Sequence, residues 1–178
     1  MRIVGGSARG RRLKAPKGAE TRPMMDRVKE AIFSSLGATV EGAAVLDLYA
    51  GSGSLGLEAL SRGAASAVFV EWSRAARAIL SENLTHLGFD GEVVAARVED
   101  YLQRSGPKVG LVFVDPPYSA ALPSVENVLG LLARRLAAGA VVVLHRRAGS
   151  GEVAPPPGLQ VADRRRYGDA EVTRLVKE

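Results

Sequence analysis

Leu111-Val112-Phe113-Val114-Asp115-Pro116-Pro117-Tyr118 reads as a buried strand that ends in a carboxylate, two prolines and an aromatic ring. A continuous apolar run of this kind suits a parallel strand covered on both faces. Neither proline has an N–H with which to extend a ladder, so the strand stops at Asp115. Ligands of open α/β sheets bind outside the carboxyl ends of the strands. The acid, the stiff turn and the ring therefore fall where a substrate would lie.

Outward from this stretch, the chain alternates strand and helix from residue 43 onward. Strands are expected at 43–50, 66–72, 92–98, 109–115 and 140–146, and helices near 54–63, 73–88, 99–104 and 122–137. Alternation of this kind implies right-handed βαβ crossovers and an α/β fold, a doubly wound and mostly parallel sheet. The connection 148–158 holds Pro155-Pro156-Pro157 and reads as a loop. Two last strands, 159–167 and 171–177, flank Tyr167-Gly168-Asp169-Ala170 as an antiparallel hairpin. Upstream, a helix starts near Asp26, carries Val28, Ala31, Ile32 and Leu36 at helical spacing and stops by Gly37. Before it, two short β-like pieces surround a glycine-rich turn. We divide the chain into a basic N-terminal hairpin or arm, 1–25, and one domain, 26–178.

At 178 residues and 47% hydrophobic content, the chain can bury a core of its own. The absence of cysteine excludes disulfides and thiolate metal sites, and two histidines leave little for a metal centre, so none is expected. Neither a signal peptide nor an apolar run near 18 residues is visible, which predicts a cytoplasmic protein with no membrane partner. The net charge of +5 is unevenly spread. Residues 1–29 hold nine Lys and Arg against Glu20 and Asp26, a net of +7, which leaves −2 for the rest. A basic arm on a near-neutral body fits a polyanion partner, with Arg9, Arg11, Arg12, Lys14, Arg22 and Arg27 as phosphate contacts. The plainer alternative is a solubilising tail.

Asp47-Leu48-Tyr49-Ala50-Gly51-Ser52-Gly53-Ser54-Leu55-Gly56 contains G-x-G-x-x-G between a strand and a helix. Ala50, Gly51, Ser52, Gly53, Leu55 and Gly56 would form a turn that a nucleotide can approach closely, although such glycines also serve helix–strand packing alone. Glu71, twenty residues after Gly51, can accept both hydroxyls of a ribose. The pattern suits NAD and S-adenosylmethionine alike. Asp47 separates them, because a carboxylate there repels a pyrophosphate and favours the cationic amino-acid end of S-adenosylmethionine. Trp72 would cover an adenine face or simply be half-buried.

The acid-Pro-Pro-Tyr turn suits transfer to the exocyclic amine of a nucleobase, a poor nucleophile that must be aligned. Asp115 and the carbonyl of Pro116 would each take an N–H, Pro117 would stiffen the turn, and Tyr118 would stack on the base. The base has to be presented unstacked.

Gly51-Ser52-Gly53 after Asp47, Glu71 and Asp115-Pro116-Pro117-Tyr118 together resemble class I S-adenosylmethionine-dependent methyltransferases. Arg2-Ile3-Val4-Gly5-Gly6, Arg9-Gly10-Arg11-Arg12-Leu13, Thr21-Arg22-Pro23 and Asp26-Arg27-Val28-Lys29-Glu30-Ala31-Ile32-Phe33 narrow this. With Leu57-Glu58-Ala59-Leu60-Ser61-Arg62-Gly63, they resemble the bacterial 16S rRNA (guanine-966 N2)-methyltransferase family over nearly the whole chain. That resemblance implies a Rossmann-like seven-stranded sheet ordered 3-2-1-4-5-7-6 with an antiparallel last strand. It also implies S-adenosyl-L-methionine as cofactor, a guanine amine of small-subunit ribosomal RNA, free or in a 30S assembly intermediate, as substrate, and an N-terminal extension that engages the RNA. A monomer is expected. Met24, Arg97 and His145 depart from the family pattern, and adenine recognition then falls to the backbone near Val98, to Glu99 or to Asp100. His145 and His86 are read as structural. The rival readings are an adenine-N6 methyltransferase on RNA or DNA, a nicotinamide-dependent oxidoreductase, which Asp47 disfavours, and a non-catalytic RNA-binding relic of the fold.

Overall fold

In the computed structural model, residues 1–15 and 26–178 are described. Strands β1 (Ala44–Leu48), β2 (Ser66–Val70), β3 (Glu92–Val94), β4 (Val109–Val114), β5 (Leu136–Arg147), β6 (Leu159–Tyr167) and β7 (Ala170–Lys177) form one sheet. Its order is β3-β2-β1-β4-β5-β7-β6, parallel from β3 to β5, with β7 antiparallel to both β5 and β6. The helices are α1 (Asp26–Leu36), α2 (Ser54–Ser61), α3 (Arg74–Leu87), α4 (Val98–Gln103) and α5 (Leu122–Leu132).

Alternation along the central strands divides the core between two faces. Val45, Leu111, Phe113 and Val143 pack with α1, α2 and α3, whereas Leu46, Leu48, Val112, Val114, Val142 and Leu144 pack with α4 and α5. Asp47, Asp115 and His145 continue the first set, each two residues from one of its members. Three polar groups thus lie on one face, where apolar packing gives way at the strand ends.

Residues 1–15 dock onto that same face. Arg2 and Arg12 form an antiparallel bridge, and Ile3, Ala8 and Leu13 are buried. The Val4 and Gly5 N–H groups each donate to the Glu58 carboxylate at 2.8 Å, and Ser7 N–H donates to the Ser61 carbonyl at 2.7 Å. Gly6, at φ +76°, admits this approach, since a Cβ there would lie 1.8 Å from the Ser61 carbonyl oxygen. Lys29, fully buried, donates to the Arg2 carbonyl and to Ser54 Oγ and lies 3.6 Å from Glu58. Burial lowers its pKa, an effect the Glu58 charge opposes.

Strands β1 and β2 and helix α2 end about two residues short of the expected bounds, and the larger departures fall in two places. The helix expected to reach 137 ends at Leu132, and β5 begins at Leu136 instead of 140. Pairing of Leu136 with Val109 draws the alanine-rich segment into the sheet. β3 stops at Val94 rather than 98, because Arg97 already serves as the N-cap of α4. Among the described residues, no helix is long and apolar enough to cross a membrane.

Candidate active site

A cavity of about 540 Å³ opens at the carboxyl ends of the central strands, a size that suits a small-molecule ligand. Of the residues singled out in the sequence, Ala50, Gly51, Ser52, Glu71, Trp72, Val98, Glu99, Asp115, Pro116, Pro117 and Tyr118 line it. The glycine turn and the acid-Pro-Pro-Tyr turn, more than sixty residues apart in sequence, face one space. β1 pairs directly with β4, which makes their tips neighbours.

Asp47, Gly53, Leu55 and Gly56 do not line the cavity; they stand behind its wall. Asp47 is 1% exposed, and its Oδ2 accepts the Gly56 N–H at 2.8 Å. This carboxylate, expected to help hold the cationic end of the cofactor directly or through water, lies beneath the loop, where it anchors the first turn of α2. Burial raises its pKa well above the usual carboxylate range; the Gly56 N–H opposes that shift, and the Asp115 and Glu71 charges add to it. A Cβ on Gly56 would come within 2.3 Å of the Phe69 ring, and one on Gly53 within 2.3 Å of Leu80. The second and third glycines therefore serve packing. Only Gly51 of the three meets the cavity.

Glu71 is held ready at the tip of β2. Its Oε2 accepts the Gly51 N–H at 2.8 Å and its Oε1 accepts the Ser73 N–H at 2.7 Å. Each carboxylate oxygen has a further lone pair for a hydroxyl. Trp72 is 63% exposed, and the Arg97 guanidinium lies 4.8 Å from its ring centroid. This cation–π contact fixes an indole that would otherwise swing in solvent. Among the described residues, Glu71, Glu99 and Asp115 put three carboxylates on the cavity wall against one guanidinium, that of Arg97. That balance opposes a pyrophosphate and favours a cationic ligand.

Several residues of the site escaped the sequence reading. Tyr49 lines the cavity at φ +59°, a left-handed conformation that is costly for a non-glycine residue. Its hydroxyl makes a long 3.5 Å contact with Glu99, and burial, then that carboxylate, pushes its pKa upward. Asn83, 1% exposed, donates to the carbonyls of Ser52 and Lys14 and accepts the Lys14 N–H, which ties the N-terminal segment to the glycine turn. Met1 and Ala15 also reach the cavity wall. His145 Nδ1 lies 2.7 Å from Asp115 Oδ1. Register carried the signal for that contact: Val114 pairs with Leu144, so the next residues on these parallel strands adjoin.

The basic residues divide as well. Arg9, Arg12 and Arg27 are exposed. Arg11 caps α3 by donating to the His86 and Leu87 carbonyls, and Lys14 pairs with Glu82 at 2.6 Å. Arg22 and Met24 lie outside the described residues.

Strand order, the turn after β1 and the acids at the tips of β2 and β4 define a Rossmann-like class I methyltransferase fold. The model of the family described as "Conserved hypothetical protein 95" matches residues 1–176. The chain belongs to that family. It is 42% identical over 133 residues to "Ribosomal RNA small subunit methyltransferase D" of Escherichia coli (strain K12), covering 74% of this chain and 66% of that protein. It is 37% identical over 137 residues to the protein of the same name from Haemophilus influenzae, covering 74% and 70%. Among solved structures, the yhhF protein of Escherichia coli superposes with a TM-score of 0.90 at 33% identity, covering 100% of this chain and 98% of that one.

Proposed function

We propose that this protein transfers the methyl group of S-adenosylmethionine to the N2 amine of a guanine in small-subunit ribosomal RNA. The observation that carries the reading is that Asp115-Pro116-Pro117-Tyr118 shares one carboxylate-lined cavity with Gly51 and Glu71. The names of the two rRNA methyltransferase relatives support RNA as the acceptor. Residues present fit the cofactor: Glu71 takes the ribose hydroxyls, Trp72 and Val98 border the adenine, and the acidic wall suits a sulfonium and an ammonium. When bound, S-adenosylmethionine supplies a methyl group on a positively charged sulfur that leaves readily.

The chain's own work is alignment. Asp115 and the Pro116 carbonyl each take one N–H of the amine, which turns the nitrogen lone pair toward the cavity. Pro117 keeps the turn stiff, and Tyr118 stacks on the extruded base. The exposed Arg9, Arg12 and Arg27, with Arg22, hold the RNA backbone. The protein acts in the cytoplasm as a monomer, on free RNA or on a 30S assembly intermediate.

The test is mass spectrometry of nucleosides from small-subunit RNA incubated with the protein and isotopically labelled S-adenosylmethionine. Labelled N2-methylguanosine is expected. Labelled N6-methyladenosine would keep the alignment chemistry and change the base, whereas unlabelled RNA from every assembly state would overturn the reading.

A further inference from the structure

We infer that His145 is the positioning residue for Asp115: it donates Nδ1–H to Asp115 Oδ1 and so turns Oδ2 toward the substrate amine. The inference rests on the base-amine reading above. Three observations carry it. The two atoms are 2.7 Å apart, and both residues line the cavity. An ionised carboxylate offers only lone pairs, so a contact this short requires the proton on Nδ1. Second, His145 is 5% exposed whereas the Asp115 side chain is 32% exposed, so the imidazole braces the acid from behind. Third, the contact lies one residue beyond the β4–β5 ladder, whose register Leu111 to Val114 already fix against Val141 to Leu144. The sheet does not require it, and its effect falls on the group that meets substrate.

A carboxylate at a strand tip with a side chain 32% exposed can rotate about χ1 and χ2 unless a neighbour holds it. Rotation would lose the alignment that lets one oxygen take an N–H of the amine while the lone pair faces the methyl group. Holding Oδ1 in place removes that freedom before substrate arrives. As the N–C bond forms and the C–S bond breaks, the electron pair of the latter goes to sulfur and the surplus amine proton passes to Asp115 Oδ2. It leaves to water with the product. His145 retains its Nδ1 proton throughout. Its ring stands 6.0 Å from that of Tyr118, tilted by 51°, so the same imidazole also borders the place assigned to the base.

The test compares His145→Ala and His145→Asn with the wild-type protein. Asn places an amide N–H near the position of Nδ1. His145→Ala should lower kcat for methyl transfer about 10- to 100-fold, with S-adenosylmethionine affinity by calorimetry unchanged within about threefold. His145→Asn should recover most of the loss. In an Asp115→Asn background, His145→Ala should cost little more, because the two act as one unit. A kcat within twofold of wild type for His145→Ala, or His145→Asn as slow as His145→Ala, would overturn the inference. Nitrogen-15 NMR reads the contact without turnover. The wild-type protein should show His145 protonated at Nδ1, a state that Asp115→Ala releases; a neutral ring protonated only at Nε2 would also overturn it. If no RNA is methylated yet the Nδ1 proton is present, the substrate reading fails and the brace stands.

Discussion

Asp47 carries a carboxylate into a place that water does not reach. Its raised pKa, caused chiefly by burial, means that the folded state holds this proton to higher pH than the unfolded chain does. The associated stability is therefore full below the unfolded value near 3.8 and is lost as pH rises through the folded one. Asp47→Asn keeps a carbonyl oxygen for the Gly56 N–H and removes the titration. We expect the variant to melt higher than wild type at pH 8, with a flatter stability profile above pH 4; a lower melting temperature at pH 8 would contradict this account. Asp115→Ala should lower methyl transfer by about a hundredfold or more with cofactor affinity nearly intact, measured by single turnover and calorimetry. Glu71→Ala should do the reverse, weakening cofactor binding about tenfold or more and sparing kcat at saturation. Glu71 and Asp115 were legible in sequence because strand pattern alone brings them to strand tips. His145 was not, because its partner is set by which strand lies beside β4 and in what register, knowledge that a single buried histidine does not carry.

At the scale of elements, the first crossover shows what the glycine motif is for. α2 enters close over β1 and β2, and the Gly56 Cα faces the Phe69 ring and the Asp47 carboxylate. Gly56→Ala should cost about 1–3 kcal/mol, read by denaturant unfolding, and should weaken the cofactor only indirectly. A stability equal to wild type would mean that the helix can lift without loss. β4, with its unbroken apolar run Leu111 to Val114, was readable from composition, and β1 was readable despite Asp47 because apolar residues flank that acid on both sides; so was α3, whose Ser73 N-cap and left-handed Gly88 mark its ends. The α5–β5 junction was not. Leu131 to Ala138 satisfies helical spacing and strand packing equally, and a long-range partner, Val109, decides between them. Sequence also marked Gly53 and Gly56 as cavity residues, since a motif gives spacing but not which glycines face the ligand and which face a ring.

Across the whole molecule, Glu58 is the joint between the basic segment and the sheet-bound helices. It accepts the Val4 and Gly5 N–H groups and the Arg62 Nε–H, and it lies beside the buried Lys29. Glu58→Ala would strand a buried ammonium and two backbone donors. We expect a loss of about 3–5 kcal/mol, with faster hydrogen exchange over residues 1–15. RNA contact should follow exposure more than charge count. Arg9→Ala with Arg12→Ala should lower the slope of log affinity against log salt by about 2, whereas Arg11→Ala should show up mainly as a less stable α3 C-terminus. An unchanged salt slope in the double variant would place the RNA elsewhere. The charge asymmetry of the first 29 residues was plain in sequence, but their docking was not, because Ser61 and Asn83, which receive them, lie in helices that give no sign of this partner.

The stitch between Lys14 and Asn83 spans 69 residues, and it has a consequence for the order of events on the ribosome. At about 5–20 residues per second, Lys14 is added to the chain roughly 3–14 s before the residue that will hold it. During that interval the basic segment's arginines and backbone donors have no α2 or α3 to rest on. The newborn chain therefore spends its first seconds as an unshielded cationic thread beside an RNA-rich machine, and closure of α3 over the glycine turn retires it into the enzyme.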